Sequence, residues 1–239
     1  MNKKVNLFCL PFAGGNKYSY RDFVEKAPDF LNLITLEYPG RSARMKEPLP
    51  IDIDELTDDL FNQVKHQFGN EPYAIYGHSL GGLMAYLLTK KLLENNMPMP
   101  SNLFITGTTG PSSVSRTEKK RHLLDQQDFI AEIKDLGGMP DEILNSEELL
   151  YFFEPILRSD FKISENYVYE ESVPLNIPIT VITGTEEDME ISDIKLWQKE
   201  TTQVVDFKRM PGKHFFILQH TFKIMEIISR KLYIHKTLL

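Results

Sequence analysis

Residues 74 to 82 read AIYGHSLGG, which sets Ser79 between Gly77 and Gly81, with one apolar run directly before it and another directly after. The first run, YAIYG (73–77), has the length of a strand. The second, from Leu80 to Asn96, carries Leu83, Met84, Leu87, Leu88 and Leu92 on one helical face with Lys90 and Lys91 off it, and stops at the breaker run NNMPMP. Strand, turn and helix therefore follow with no loop between them. In so tight a turn, side chains flanking the serine would collide with the neighbouring strand and helix, so Gly77 and Gly81 are required on steric grounds. The serine oxygen is held outward, close to a helix amino end whose N–H groups and dipole favour negative charge.

The rest of the chain repeats the alternation. Short apolar runs at VNLFCL (5–10), NLITLE (32–37), NLFITG (102–107), ITVITG (179–184) and QVVDFK (203–208) are predicted strands. Between the second and third strands, Ile53, Leu56, Leu60, Val64 and Phe68 recur at helical spacing. Strands alternating with helices specify an α/β fold, a mostly parallel central sheet with helices on both faces. After Gly110 the regularity changes, and residues 115–170 read as several amphipathic helices without a strand, a helical insertion over one end of the sheet. At 239 residues, the chain is expected to form one domain over 1–239 with that insertion inside it.

Charge narrows the partners. The 34 acidic and 27 basic residues give a net charge of −7, and no Lys/Arg block is long enough to follow a phosphate backbone, so no nucleic acid partner is expected. The lone cysteine, Cys9, sits in an apolar strand, reads as a core thiol and rules out an internal disulfide framework. The opening MNKK followed by an apolar stretch is too short for a secretion signal, breaks at Pro11 and lacks a small-residue cleavage site. No apolar run approaches the roughly 18 residues of a membrane helix. A cytoplasmic protein with no membrane association is expected.

A parallel sheet presents its chemistry at the carboxyl ends of its strands, and G-x-S-x-G at such an end, with a helix following, is a nucleophile elbow. A serine hydroxyl needs a base to take its proton and a carboxylate to orient that base. Among six histidines, His214 lies in the Pro/Gly loop MPGKHFF just after the last strand. His66, His122 and His220 read as helix or surface residues, His235 lies near the carboxyl terminus, and the side chain of His78, inside the elbow, cannot reach round to its neighbour's oxygen. His214 is the candidate base. The acid is expected after ITVITG, where TEEDMEISD offers Glu186, Glu187, Asp188 and Asp193. The shorter aspartate side chain is easier to hold at a strand end, which favours Asp188 and leaves Glu187 as its rival. The oxyanion of a tetrahedral intermediate needs two backbone N–H donors; Leu80, directly after the nucleophile, and Ala13, in the PFAGG loop after the first strand, are the candidates. No His/Cys cluster has metal-ligand spacing and no P-loop is present, so no metal and no cofactor are expected.

The chain resembles the type II thioesterases that accompany nonribosomal peptide and polyketide synthetases. The resemblance runs nearly end to end and rests on LPFAGGNKYSYRDF, LEYPGRSARMKEPL, YGHSLGG, TGTTGP and LGGMPDEILNSEELLYFFEPILRSDFKISENYVY. It implies an α/β-hydrolase fold with residues 115–170 as a helical lid. It also implies hydrolysis of acyl, aminoacyl or peptidyl thioesters on the phosphopantetheine arm of carrier domains, clearing mis-primed or stalled synthetases; a monomer is expected. Carried over by position, Ser79, His214 and an acid within TGTEED form the triad, and Ala13 and Leu80 the oxyanion hole. One departure stands out. The family places its aspartate three residues after the glycine that closes the strand, and that position here is Glu187, with Asp188 one later.

Two further expectations stay open at this level. Arg41 and Arg44, after YPG, either meet a phosphopantetheine phosphate or a carrier helix, or form structural salt bridges. Phe129, Ile133, Leu136, Met139, Leu149, Phe152, Phe153, Ile156 and Leu157 either line an acyl channel or pack as ordinary helix faces. The rival functions are a general serine esterase acting on small esters or acyl-CoA, and a non-catalytic binding protein on the same fold.

Overall fold

The computed structural model describes residues 4–68 and 71–237. Six strands, β1 (Val5–Leu10), β2 (Leu31–Thr35), β3 (Tyr73–His78), β4 (Leu103–Thr106), β5 (Ile179–Gly184) and β6 (Asp206–Met210), form one sheet. Their order is β2-β1-β3-β4-β5-β6, and every neighbouring pair is parallel. The helices are α1 (Arg21–Lys26), α2 (Ile53–Val64), α3 (Leu80–Glu94), α4 (Gln126–Leu136), α5 (Asp141–Leu144), α6 (Glu147–Glu165), α7 (Ile191–Lys195), α8 (Phe216–Gln219) and α9 (Thr221–Thr237).

Alternation along each strand builds two cores. In β1, Phe8 and Leu10 point to a cluster with Leu56 and Leu60 of α2 and Met84 and Leu88 of α3. Val5, Leu7 and Cys9 point the other way, to Phe23 of α1 and Ile224, Met225 and Ile228 of α9. A sheet covered on both faces must be apolar on both, which is why its central strands are continuous apolar runs. The β1 and β5 boundaries match the sequence reading. The last strand begins three residues later than predicted, at Asp206, because Val204 is exposed and the edge strand is carried instead by alternating Asp206, Lys208 and buried Met210.

The topology also fixes where a site can form. The chain runs outward from β1 to β2, then returns to lay β3 on the other side of β1. The loops after β1 and β3 leave the same sheet end in opposite directions and open a crevice there. The segment between β4 and β5 crosses above that crevice as α4, α5 and α6, with short 3₁₀ turns and no strand. Ser146 caps α6 by accepting the Leu149 N–H, and Asp125 caps α4 in the same way through the Asp128 N–H.

Candidate active site

Ser79 occupies the turn between β3 and α3 with φ 56° and ψ −119°, a conformation that L side chains rarely adopt. The glycines around it permit this. A Cβ on Gly77 would lie 2.0 Å from the Gly81 carbonyl oxygen, and one on Gly81 would lie 2.2 Å from the Leu10 oxygen. The elbow is pressed onto the end of β1, so a methyl group at either position would push the serine out of register.

Beside it, two loops are tied together. The Thr185 N–H donates to Met210 O at 2.8 Å and the Glu186 N–H to Gly212 O at 3.1 Å, so the loop after β5 lies along the loop after β6. From this pairing the Glu187 carboxylate takes the imidazole of His214, Nδ1 to Oε1 at 2.7 Å, and accepts the Gly184 N–H on Oε2 at 2.6 Å. The Glu187 side chain is 3% exposed. The glutamate's extra methylene is what allows one carboxylate to fold back to Gly184 and still reach the ring.

Asp188, favoured from sequence, is not at His214. Its side chain is 95% exposed and faces Lys119 at 3.6 Å. The backbone turns outward after Glu187, so the next side chain leaves the site, and a short aspartate cannot return. Two of the other histidines are engaged elsewhere, His122 with Glu165 at 2.6 Å and His220 with Pro211 O at 2.9 Å.

Ser79 and His214 share the wall of a cavity of about 360 Å³. Among the described residues, no hydrogen bond joins Ser79 Oγ to the His214 ring. Ala13 lies on the same wall, and neither its N–H nor that of Leu80 makes a hydrogen bond within the described residues. Leu80 is the first residue of α3, where an N–H has no intrahelical acceptor. Neither N–H is therefore committed to an acceptor among the described residues, one on the cavity wall and the other directly after Ser79.

The loop that carries Ala13 is held from above. The Gly14 N–H donates to Asp160 Oδ2 at 2.8 Å, and Arg41 clamps the same carboxylate through two bonds of 2.7 and 2.8 Å. Arg41 and Asp160 are both buried. Arg44 is engaged with Asp59 at 2.6 Å and with Glu47. Of the two readings open for these arginines, the structure gives ion pairs.

The roof comes from the helical segment. Ile133, Leu136, Met139, Phe153 and Leu157 line the cavity. Phe129 and Ile156 are buried in helix packing, while Leu149 and Phe152 are exposed. Phe215, next to His214, closes one side against Phe12, with ring centroids 4.9 Å apart. Sequence reasoning overlooked three of these contributors. Asp160 and Phe215 stood unremarked inside longer motifs, and His78 was considered only as a base. The buried His78 ring lies against His214, with centroids 4.8 Å apart. Its pKa is pushed well below the usual histidine value by burial first and by His214 second, against a smaller opposing effect of Thr106. Among the described residues, no three His, Cys, Asp or Glu side chains converge as a metal site, and no helix is long and apolar enough to cross a membrane.

A doubly covered parallel sheet, a strained serine at a strand-to-helix elbow and a histidine held by a carboxylate define an α/β-hydrolase. Residues 5–232 match the Thioesterase domain model, and the chain belongs to that family. It is 26% identical over 230 residues to the gramicidin S biosynthesis protein GrsT of Aneurinibacillus migulanus, covering 96% of this chain and 89% of that protein. It is 29% identical over 229 residues to thioesterase PikA5 of Streptomyces venezuelae, covering 95% of this chain and 81% of that protein. Among solved structures, ClbQ from the colibactin NRPS/PKS pathway superposes with a TM-score of 0.92 at 30% identity, covering 99% of this chain and 100% of that chain.

Proposed function

We propose that this chain is a serine thioesterase that hydrolyses acyl, aminoacyl or peptidyl thioesters on the phosphopantetheine arms of carrier domains, editing nonribosomal peptide or polyketide synthetases. The observation that carries the chemistry is the His214–Glu187 hydrogen bond of 2.7 Å on the wall shared with Ser79. The carrier-bound substrate class is supported by relatives such as ClbQ from an NRPS/PKS pathway.

In this reading Ser79 Oγ attacks the thioester carbonyl while His214 Nε2 takes its proton, and Glu187 holds the ring and stabilises the imidazolium that forms. The Ala13 and Leu80 N–H groups receive the oxyanion. The carbon–sulfur bond breaks, the proton passes from His214 to the departing thiolate, and the acyl group stays on Ser79. A water activated by His214 repeats the attack and releases the acid. A thiolate leaves more readily than an alkoxide or amine, so no metal or cofactor is called on; the phosphopantetheine arrives with the substrate. Residues 115–170 act as a lid over an apolar acyl chamber, and the protein works as a cytoplasmic monomer.

The test is the hydrolysis rate of a short acyl group on a phosphopantetheinylated carrier domain beside the matching oxoester, for wild type and Ser79→Ala. Rapid deacylation lost in the variant supports the editing enzyme. Equal or faster turnover of the oxoester would make the chain a general esterase, and turnover of neither, a binding protein.

A further inference from the structure

We propose that His78 is a positioning residue for His214, a flat platform that fixes the plane of the imidazole serving Ser79. The proposal rests on the catalytic role assigned above to Ser79 and His214.

A single hydrogen bond does not define the orientation of a ring. Glu187 holds His214 at Nδ1, and that contact alone leaves the imidazole free to tilt about the bond. During turnover, Nε2 has to face Ser79 Oγ and then the departing sulfur, so a tilt of the ring misdirects both proton transfers. The His78 ring blocks that tilt. It lies 4.8 Å from the His214 ring, inclined at 40°, while Phe215 meets His214 edge-on at 5.3 Å.

The platform is itself fixed. His78 Nδ1 is 3.1 Å from Thr106 Oγ1, a hydroxyl that donates to Gly77 O at 3.3 Å and also meets Tyr76 OH. The Nδ1–Oγ1 hydrogen bond ties one edge of the ring to β4. The ring is enclosed by Phe12, Phe215 and Phe216 at 5.9, 5.3 and 6.0 Å. Gly107 makes room for it, because a Cβ there would lie 2.3 Å from His78 Cε1 and 3.3 Å from Glu187 Oε1. Nε2 is buried and has no hydrogen-bond partner among the described residues.

The titratable groups facing His78 are His214 from the β6 loop, Glu187 across Gly107, and Tyr76 through Thr106. Burial keeps the ring uncharged. An uncharged neighbour sets no repulsion against the imidazolium that forms on His214 in the transition state, and its π face favours that charge.

His78→Leu fills the space without a flat face, and His78→Phe keeps the face. The reading is the second-order rate at which a small fluorophosphonate labels Ser79, with folding checked by circular dichroism and thermal unfolding, followed by kcat and KM on a carrier-bound acyl thioester. The expected result is labelling and kcat at least about 10-fold slower for His78→Leu with KM within about 2-fold, and recovery to within about 3-fold of wild type in His78→Phe. A folded His78→Leu that labels at the wild-type rate overturns the proposal, as does a folded His78→Phe as slow as His78→Leu. Fluorophosphonate labelling does not depend on the acyl substrate, so wild type that labels but turns over no thioester defeats the substrate assignment and leaves the Leu/Phe comparison to decide. Wild type that does not label at all defeats both.

Discussion

Arg41 and Asp160, 119 positions apart, meet in a buried two-point ion pair whose carboxylate also accepts the Gly14 N–H. One clamp thereby joins the loop after β2, the loop that carries the Ala13 donor, and helix α6 above the cavity. Removing one partner strands the other charge in the interior. Asp160→Ala is expected to lower stability by about 3–5 kcal/mol, and Arg41→Met with Asp160→Leu by clearly less, because no charge is then left unpaired. Urea unfolding of the single and double variants measures the difference.

Glu187 and Asp188 are adjacent in sequence and separated by burial, 3% against 95% side-chain exposure. Glu187→Gln, which cannot hold a charged imidazole, is expected to lower kcat by about 10² to 10⁴. Asp188→Asn is expected to change it by less than about 2-fold. Rates per active site titrated with fluorophosphonate separate the two.

Strain at Ser79 gives a stability signature. A non-glycine residue at φ 56° costs about 1–3 kcal/mol, and glycine accepts that conformation. Ser79→Gly is expected to abolish turnover and to be more stable than Ser79→Ala by about 1 kcal/mol, less glycine's extra unfolded entropy. Thermal unfolding of the two inactive variants makes the comparison.

His78 also ties stability to pH. Its folded pKa is depressed below 6.5, so the unfolded chain binds a proton that the folded chain refuses. Its contribution is complete above pH 6.5 and is lost as pH falls toward the folded value, with a slope of at most about 1.4 kcal/mol per pH unit from this one group. Urea midpoints between about pH 5 and 7.5 are expected to fall with acid less steeply in His78→Phe than in wild type.

The strands and the elbow were legible because burial on both sheet faces writes them as apolar runs, and because the turn at Ser79 leaves no alternative to Gly77 and Gly81. The edge strand begins three residues later than read because its inward face is made by half-buried Asp206 and Lys208 before buried Met210, whereas the apolar Val204 lies outside it, exposed. The acid was misplaced by one residue for a geometric reason. Its position depends on where the chain turns after Gly184, which composition does not encode; the family spacing pointed to Glu187, and side-chain length argued for Asp188. Arg41 and Asp160 were both in view, in separate motifs, yet their pairing is a tertiary fact. His78 was set aside as a base, and its place beneath His214 follows from the sheet register that sets Thr106 beside it.

The central claim is that the acyl group passes through Ser79. The direct measurement is rapid acid quench of wild type mixed with an acyl-loaded carrier domain, followed by intact mass and peptide mapping. The account expects a transient mass increase of one acyl group, less a proton, located on Ser79, absent in Ser79→Ala and formed far more slowly in Glu187→Gln. Carrier deacylation with no acyl group ever on Ser79 would contradict it.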